Sequence, residues 1–258
     1  ENGAYINQAN NFGYTALMLA ASNGHEKVVE ELLAKGADIY KENVNDDTAL
    51  DVKPSKNSQE IKILLENQLE NIRMLLKAAK ENNIQEMEKL LESVHPNVKD
   101  QNGNTALMKA ADNGHLEAVK LLLVKGADIE QVSNIGQAAL THSVITRNEL
   151  VWKELLANGA EVNQADTNGD TALIFAAGYG NGGAVEDFLA SGADINQANN
   201  NGETALISAA AAMNVEVVKE LLAKGADIYH ENHEKNTVLV LKLTSGRNSQ
   251  AIKTLLAK

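Results

Sequence analysis

The stretch Gly178-Tyr179-Gly180-Asn181-Gly182-Gly183 has the spacing G-x-G-x-x-G, with which a glycine-rich turn can lay backbone amides against a pyrophosphate. That chemistry needs a strand before the glycines and a helix after them. The residues preceding Gly178 read as a helix instead, so the glycines fall in a turn between two helices and no nucleotide is expected there. Their consequence is a weakened start to the next helix, because adjacent glycines disfavour helix formation. Asp166-Thr167-Asn168-Gly169-Asp170 opens like a calcium loop, but the twelve-residue pattern requires glycine at position six and glutamate at position twelve. Thr171 and Ala177 stand there. These carboxylates read as solvating a hairpin tip. Of the six histidines, His25 and His115 occupy equivalent turn positions, and His230 and His233 flank a hairpin tip. None forms a zinc-type pair three or four apart on one helix. There is no nucleophile elbow, no Walker loop and no H-E-x-x-H. The sequence therefore predicts no catalytic residue, no metal and no cofactor, and leaves recognition as the chemistry to explain.

Composition narrows what is recognised and what scaffold presents it. Aromatic residues make up 3% of the 258 residues against 44% hydrophobic, so the core is built from Ala, Leu, Val and Ile, as in closely packed helices. There is no cysteine, which excludes disulfides and thiolate metal sites and fits a reducing compartment. No apolar run approaches the roughly 18 residues a membrane span needs, and no cationic segment precedes an apolar one. A soluble, cytoplasmic chain is expected, in its own cell or delivered into a host cytosol. The net charge of −12, from 35 acids and 23 bases, would repel nucleic acid and steer a protein with a basic surface.

Internal repetition decides the architecture. The tripeptide TAL or a variant begins at Thr15, Thr48, Thr105, Ala138, Thr171, Thr204 and Thr237, at intervals of 33 residues except for one of 57. The phrase GADI or a close variant follows in phase at Gly36, Gly126, Gly159, Gly192 and Gly225. In the first full unit Thr15 is placed to cap a helix through its hydroxyl. Ala20 and Ala21 allow close helix approach, and Gly24 can take the positive φ that ends this helix. Val28, Val29, Leu32 and Leu33 recur at helical spacing as an apolar stripe. One such unit cannot bury its own stripe, so stability must come from stacking on its neighbours.

These phrases, G-x-T-A-L, A-A-x-x-G-H and L-L-x-x-G-A-D-[IV], resemble the ankyrin repeat over nearly the whole chain. Ala16 and Met18 replace the proline and histidine of the usual T-P-L-H, a form common in microbial members. The resemblance implies an all-α solenoid of stacked helix-turn-helix units with hairpin loops, and a non-catalytic protein-protein interaction scaffold. A structural or regulatory arm of a larger protein is the alternative.

The 57-residue interval is one period plus 24. From Asn57 to Asn83 there is neither Gly nor Pro, and Ile61, Leu64, Leu65, Leu69, Ile72, Leu75, Leu76 and Ala79 trace one helical face. Residues 6–66 also resemble residues 195–256, which end in a capping segment. Residues 1–68 therefore read as the end of one array and 69–258 as a second with its own caps; one continuous stack with a shortened repeat is the alternative. Glu1 to Asn7 read as the tail of a repeat whose helices lie upstream. Two further residues, Arg147 and Met213, stand where the turn glycine is expected, at a strain cost of about 1 kcal/mol. Trp152 replaces a valine and reads as core.

In proteins of this type, hairpin tips and the exposed side of the first helix line the binding face. Carried over by phase, the partner-binding positions are Phe12, Tyr14, Leu19, Lys109, Asp112, Gln137, His142, Ile145, Asp170, Phe175, Tyr179, Glu203 and Ser208. Exposed aromatics are favoured anchors in interfaces, which puts Phe12, Tyr14, Phe175 and Tyr179 first.

Overall fold

A computed structural model describes residues 5–52, 58–234 and 247–256. Among them there are thirteen helices and, as extended structure, two isolated antiparallel bridges, Ala9 with Thr15 and Ala165 with Thr171. The helices are α1 Ala16–Ser22, α2 Glu26–Ala34, α3 Ser58–Lys80, α4 Ile84–Leu90, α5 Ala106–Asp112, α6 Leu116–Val124 and α7 Ala139–Ile145. They continue as α8 Glu149–Ala157, α9 Ala172–Gly178, α10 Gly182–Ala190, α11 Ala205–Ala211, α12 Val215–Ala223 and α13 Arg247–Leu256. The recurrence at Thr237 lies outside the described residues. The chain divides into two compact units, residues 1–110 with 117–128 and residues 111–116 with 129–258. Each is an all-α solenoid of helix-turn-helix repeats. No helix among the described residues is long and apolar enough to cross a membrane.

A repeat consists of a helix of 7 residues and one of 9, lengths at which an isolated helix is marginal in water. Local chemistry starts them and packing keeps them. The Thr15 hydroxyl accepts the Met18 amide at 3.3 Å, and Thr105, Thr171 and Thr204 do the same for Met108, Ile174 and Ile207. Ala138 holds the same extended backbone, φ −89° and ψ 171°, with no hydroxyl to offer. Thr48 departs from the rule: its hydroxyl donates to Asp51 at 2.7 Å, and the residues after it, to Val52, form turns. The first helices are buried nearly all round, and the alanine pair of α9, Ala176 and Ala177, is fully covered. The second helices bury one stripe, such as Val217, Val218 and Leu221 in α12.

In the first unit, α2 corrects one expectation. Val29 and Leu33 are buried, but Val28 is 49% exposed. Its counterparts Ala118, Val151, Ala184 and Val217 are covered, whereas no second helix precedes α2 among the described residues. The 57-residue interval contains α3, one unbroken helix of 23 residues, about 35 Å long. Ile61, Leu65, Leu69, Ile72, Leu76 and Ala79 are buried along it at helical spacing. The join expected between residues 68 and 69 falls inside this helix. His95 is half-buried beside Gly36, and burial holds its imidazole below its ordinary pKa; its Nδ1 accepts the Asn97 amide at 3.2 Å.

The hairpins carry two sets of ties that the residue types alone do not announce. Within five tips one side chain organises the turn: Asn10, Asn43, Asp100, Asp166 and Asn199 each accept the amides two and four residues on. Asp166 is thus buried and used by the backbone rather than solvating a tip. Between repeats, a side chain at five hairpin bases accepts an amide 31 residues on. In the first unit Asn7 takes Asp38 and Asn97 takes Asp128, both at 2.7 Å. In the second, Glu130 takes Glu161 at 2.9 Å, while Asn163 takes Asp194 and Asn196 takes Asp227 at 2.8 Å. Tip backbones also bond directly, for example Asn200 N–H to the Asn168 carbonyl at 2.8 Å. Gly169 permits that approach, since a Cβ there would sit 2.7 Å from the Asn200 nitrogen.

The non-glycine turns at Arg147 and Met213 behave as their positions require, and Asn82, between α3 and α4, does the same with φ 56°. Arg147 and Met213 have φ of 57° and 60°, matching turn glycines such as Gly180 at 69°. Trp152 is buried, donates its indole N–H to Asp187 at 2.8 Å and meets Phe188 edge-on.

Restoring the missing cap should stabilise the second unit: Ala138→Thr is expected to raise unfolding free energy by about 0.5–1 kcal/mol. A urea midpoint that stays put or falls would show that α7 does not need the hydroxyl.

Candidate functional site

Helix α9, capped by Thr171, carries Phe175 and ends at Tyr179, whose amide bonds the Phe175 carbonyl at 2.9 Å. The one-turn spacing stacks the two rings, with centroids 6.3 Å apart and planes within 14°. Ser208 on α11 sits one repeat further on, and Asp170 and Glu203 come from successive hairpins. Together with Asn168, Ile174, Gly178, Asn199, Asn200 and Asn201 these residues line an open cavity of about 370 Å³ in the second unit. Gly178 keeps it open. The same phase holds Ser22, Asp112 and Ile145 in other repeats, and a Cβ on Gly178 would come within 2.8 Å of the Ser208 hydroxyl oxygen.

The electrostatics of the cavity are one-sided. The Asn199 side-chain nitrogen donates to Asp170 Oδ1 at 2.7 Å and to Glu203 Oε2 at 3.3 Å, bridging two carboxylates. Asp166 lies close by as a third. Burial raises the Asp170 pKa above the ordinary carboxylate value, and the charges of Asp166 and Glu203 push the same way against the Asn199 hydrogen bond. No ion pair among the described residues includes Asp170 or Glu203. Arg147, from the preceding repeat, donates from its guanidinium to the Tyr179 carbonyl.

Five of the thirteen positions expected from phase, Asp170, Phe175, Tyr179, Glu203 and Ser208, therefore share one cavity. Four others lie in the same unit outside its lining. Gln137 donates to Asp166 at 3.3 Å, His142 Nδ1 lies 3.7 Å from Asp112 Oδ1 with its ring largely covered, and Ile145 is partly exposed. In the first unit Phe12 is 66% exposed and Leu19 44%, Tyr14 is half-buried, and Lys109 is tied to Asp100 at 3.2 Å. Sequence reasoning missed the four asparagines of the lining. Asn200 lies 99 residues, three periods, after Gln101 in a hairpin tip, which its phase alone could have shown; the bridging role of Asn199 has no local signal. Among the described residues no group of three or more His, Cys, Asp or Glu is arranged to hold a metal ion.

The family model for ankyrin repeats, in three copies, matches residues 2–74, 75–166 and 149–232. The chain is 33% identical over 131 residues to ankyrin repeat and SAM domain-containing protein 6 of Danio rerio, covering 46% of this chain and 18% of that protein. It is 34% identical over 124 residues to potassium channel AKT2/3 of Arabidopsis thaliana, covering 45% and 16%. Over 63 residues it is 38% identical to ankyrin repeat domain-containing protein 49 of Bos taurus, covering 24% and 26%. The chain thus spans about a quarter or less of the length of these relatives.

Because the folded pKa of Asp170 lies above its unfolded value, the folded state holds that proton more tightly, and ionising the group at neutral pH costs stability. Asp170→Asn keeps an acceptor for Asn199 and removes the charge. It should raise the melting temperature at pH 7, with the gain vanishing as pH falls through the folded pKa. A gain that is absent at pH 7, or that persists unchanged in acid, would show that desolvation of this charge is not what acts.

Proposed function

Since this chain belongs to the ankyrin-repeat family, we propose that it is a non-catalytic scaffold that binds another protein through its hairpin tips and the exposed faces of its first helices. The observation that carries this reading is the cavity in the second unit, where side chains from two first helices and from successive hairpins converge on open space. Phe12 and Tyr14 supply a second set of anchors in the first unit. A frame already held by hydrogen bonds between repeats loses little freedom when a partner docks, which favours affinity. The excess of acids, 35 against 23 bases, favours a partner with a basic surface over nucleic acid. The lack of cysteine suits a cytosol, of its own cell or of a host.

The arrays proposed from the sequence, residues 1–68 and 69–258, would share α3, its first half closing one and its second half opening the other. The alternative role, an interaction or regulatory arm of a larger protein, is favoured by the relatives, of which the matched segment makes up 18% and 16% of the length.

The scaffold reading is tested by capture from native lysate with the wild-type chain and with a variant in which Phe12, Tyr14, Phe175 and Tyr179 are all alanine. The variant should fold, by circular dichroism, and bind the captured protein at least tenfold more weakly. Equal affinity of the two would contradict the assignment of the binding surface.

A further inference from the structure

The cavity beside α9 has a chemistry that narrows what can enter it, and the narrowing rests on the scaffold reading above. Its walls offer two kinds of group. One is a stacked aromatic pair, with Tyr179 46% exposed and Phe175 parallel behind it. The other is a pair of carboxylates, Asp170 and Glu203, tied together by one amide nitrogen and joined to no cation among the described residues. An anionic ligand would be repelled by the acids, and a purely apolar one would leave them desolvated and unpaired. A cation satisfies both walls, because the face of an aromatic ring attracts positive charge.

We propose that this cavity receives an arginine side chain of the partner protein, its guanidinium lying against the Tyr179 ring and bonding to Asp170 and Glu203.

Arginine fits better than lysine for geometric reasons. A planar guanidinium stacks on a ring while its edge donates several hydrogen bonds at once, which a compact ammonium cannot do. Asp170 and Glu203 share one bridging nitrogen and line the same cavity, so a fork of donors can reach both. A volume of about 370 Å³ admits a side chain of this size with water to spare. The cost of holding the site empty points the same way. Burial already strains the Asp170 carboxylate toward its protonated form, and a guanidinium would relieve that. Arg147 does not fill the role, since its guanidinium donates to the Tyr179 carbonyl and forms no ion pair with Asp170 or Glu203.

The test uses the whole chain, 15N-labelled, titrated by NMR with the peptide acetyl-Gly-Ser-Arg-Ser-Gly-amide and with its citrulline counterpart, which has the same shape and no charge. The arginine peptide should shift the amides of Asp170, Phe175, Tyr179 and Glu203 and bind at least tenfold more tightly than the citrulline peptide. The double variant Asp170→Asn, Glu203→Gln should lose that preference, and Tyr179→Leu should weaken arginine binding with its spectrum otherwise intact. Equal binding of the two peptides, shifts confined to other residues, or a preference retained by the double variant would overturn the proposal. Capture of the partner by the double variant at wild-type strength, with the four-alanine variant still deficient, would overturn the arginine site and leave the scaffold reading standing.

Discussion

A helix of 7 residues followed by one of 9 cannot sustain itself in water, and everything in this molecule follows from how neighbouring repeats solve that problem for one another. Two interactions do so within each unit. Apolar faces are pressed between adjacent helices, with alanine pairs letting the first helices come close. At the hairpin bases, a side chain of one repeat takes a backbone amide 31 residues later, five times among the described residues. The apolar contacts are permissive of small slips, whereas a hydrogen bond of 2.7–2.9 Å is not. The rungs therefore fix how far one tip lies from the next, and so set the spacing between Asp170 and Glu203 that defines the cavity.

Much of this frame could be read from residue types. The threonine caps, the alanine pairs and the positive φ at Arg147 and Met213 all follow from a 33-residue period and from what each backbone position tolerates. The long apolar face from Ile61 to Ala79 likewise announced an uninterrupted helix. Other features could not be read, because their cause lies one repeat away. Asn163 looks like any polar loop residue until Asp194 is placed beside it. Glu130 performs the same task with a different side chain, which hides the pattern further. Val28 belongs to the apolar stripe by periodicity, and its exposure depends on which helices surround α2. Asp166 resembled part of a calcium loop since the same oxygen-rich spacing that suits a cation also suits two backbone amides.

The candidate site was legible in outline for the reason that the frame was. Phase alone brought Asp170, Phe175, Tyr179, Glu203 and Ser208 together, since positions one period apart must be neighbours in a stack. The bridging of two carboxylates by Asn199 was not legible, nor was the room left by Gly178, which depends on how closely Ser208 approaches. The site is also where local consistency breaks down. A half-buried carboxylate is held near two others, two glycines open the following helix, and a turn is closed by arginine instead of glycine. Departures of this kind are tolerated where a surface is shaped for recognition rather than for stability.

The dependence of each repeat on the next is measured most directly by amide hydrogen exchange at Asp194 in the wild-type chain and in Asn163→Ala. Loss of the rung should speed exchange at Asp194 at least tenfold and lower the unfolding free energy by about 0.5–1.5 kcal/mol, the net worth of one such hydrogen bond at an exposed hairpin base. Unchanged protection at Asp194 would mean that the hairpins are self-supporting and that the stacking constraint is carried elsewhere.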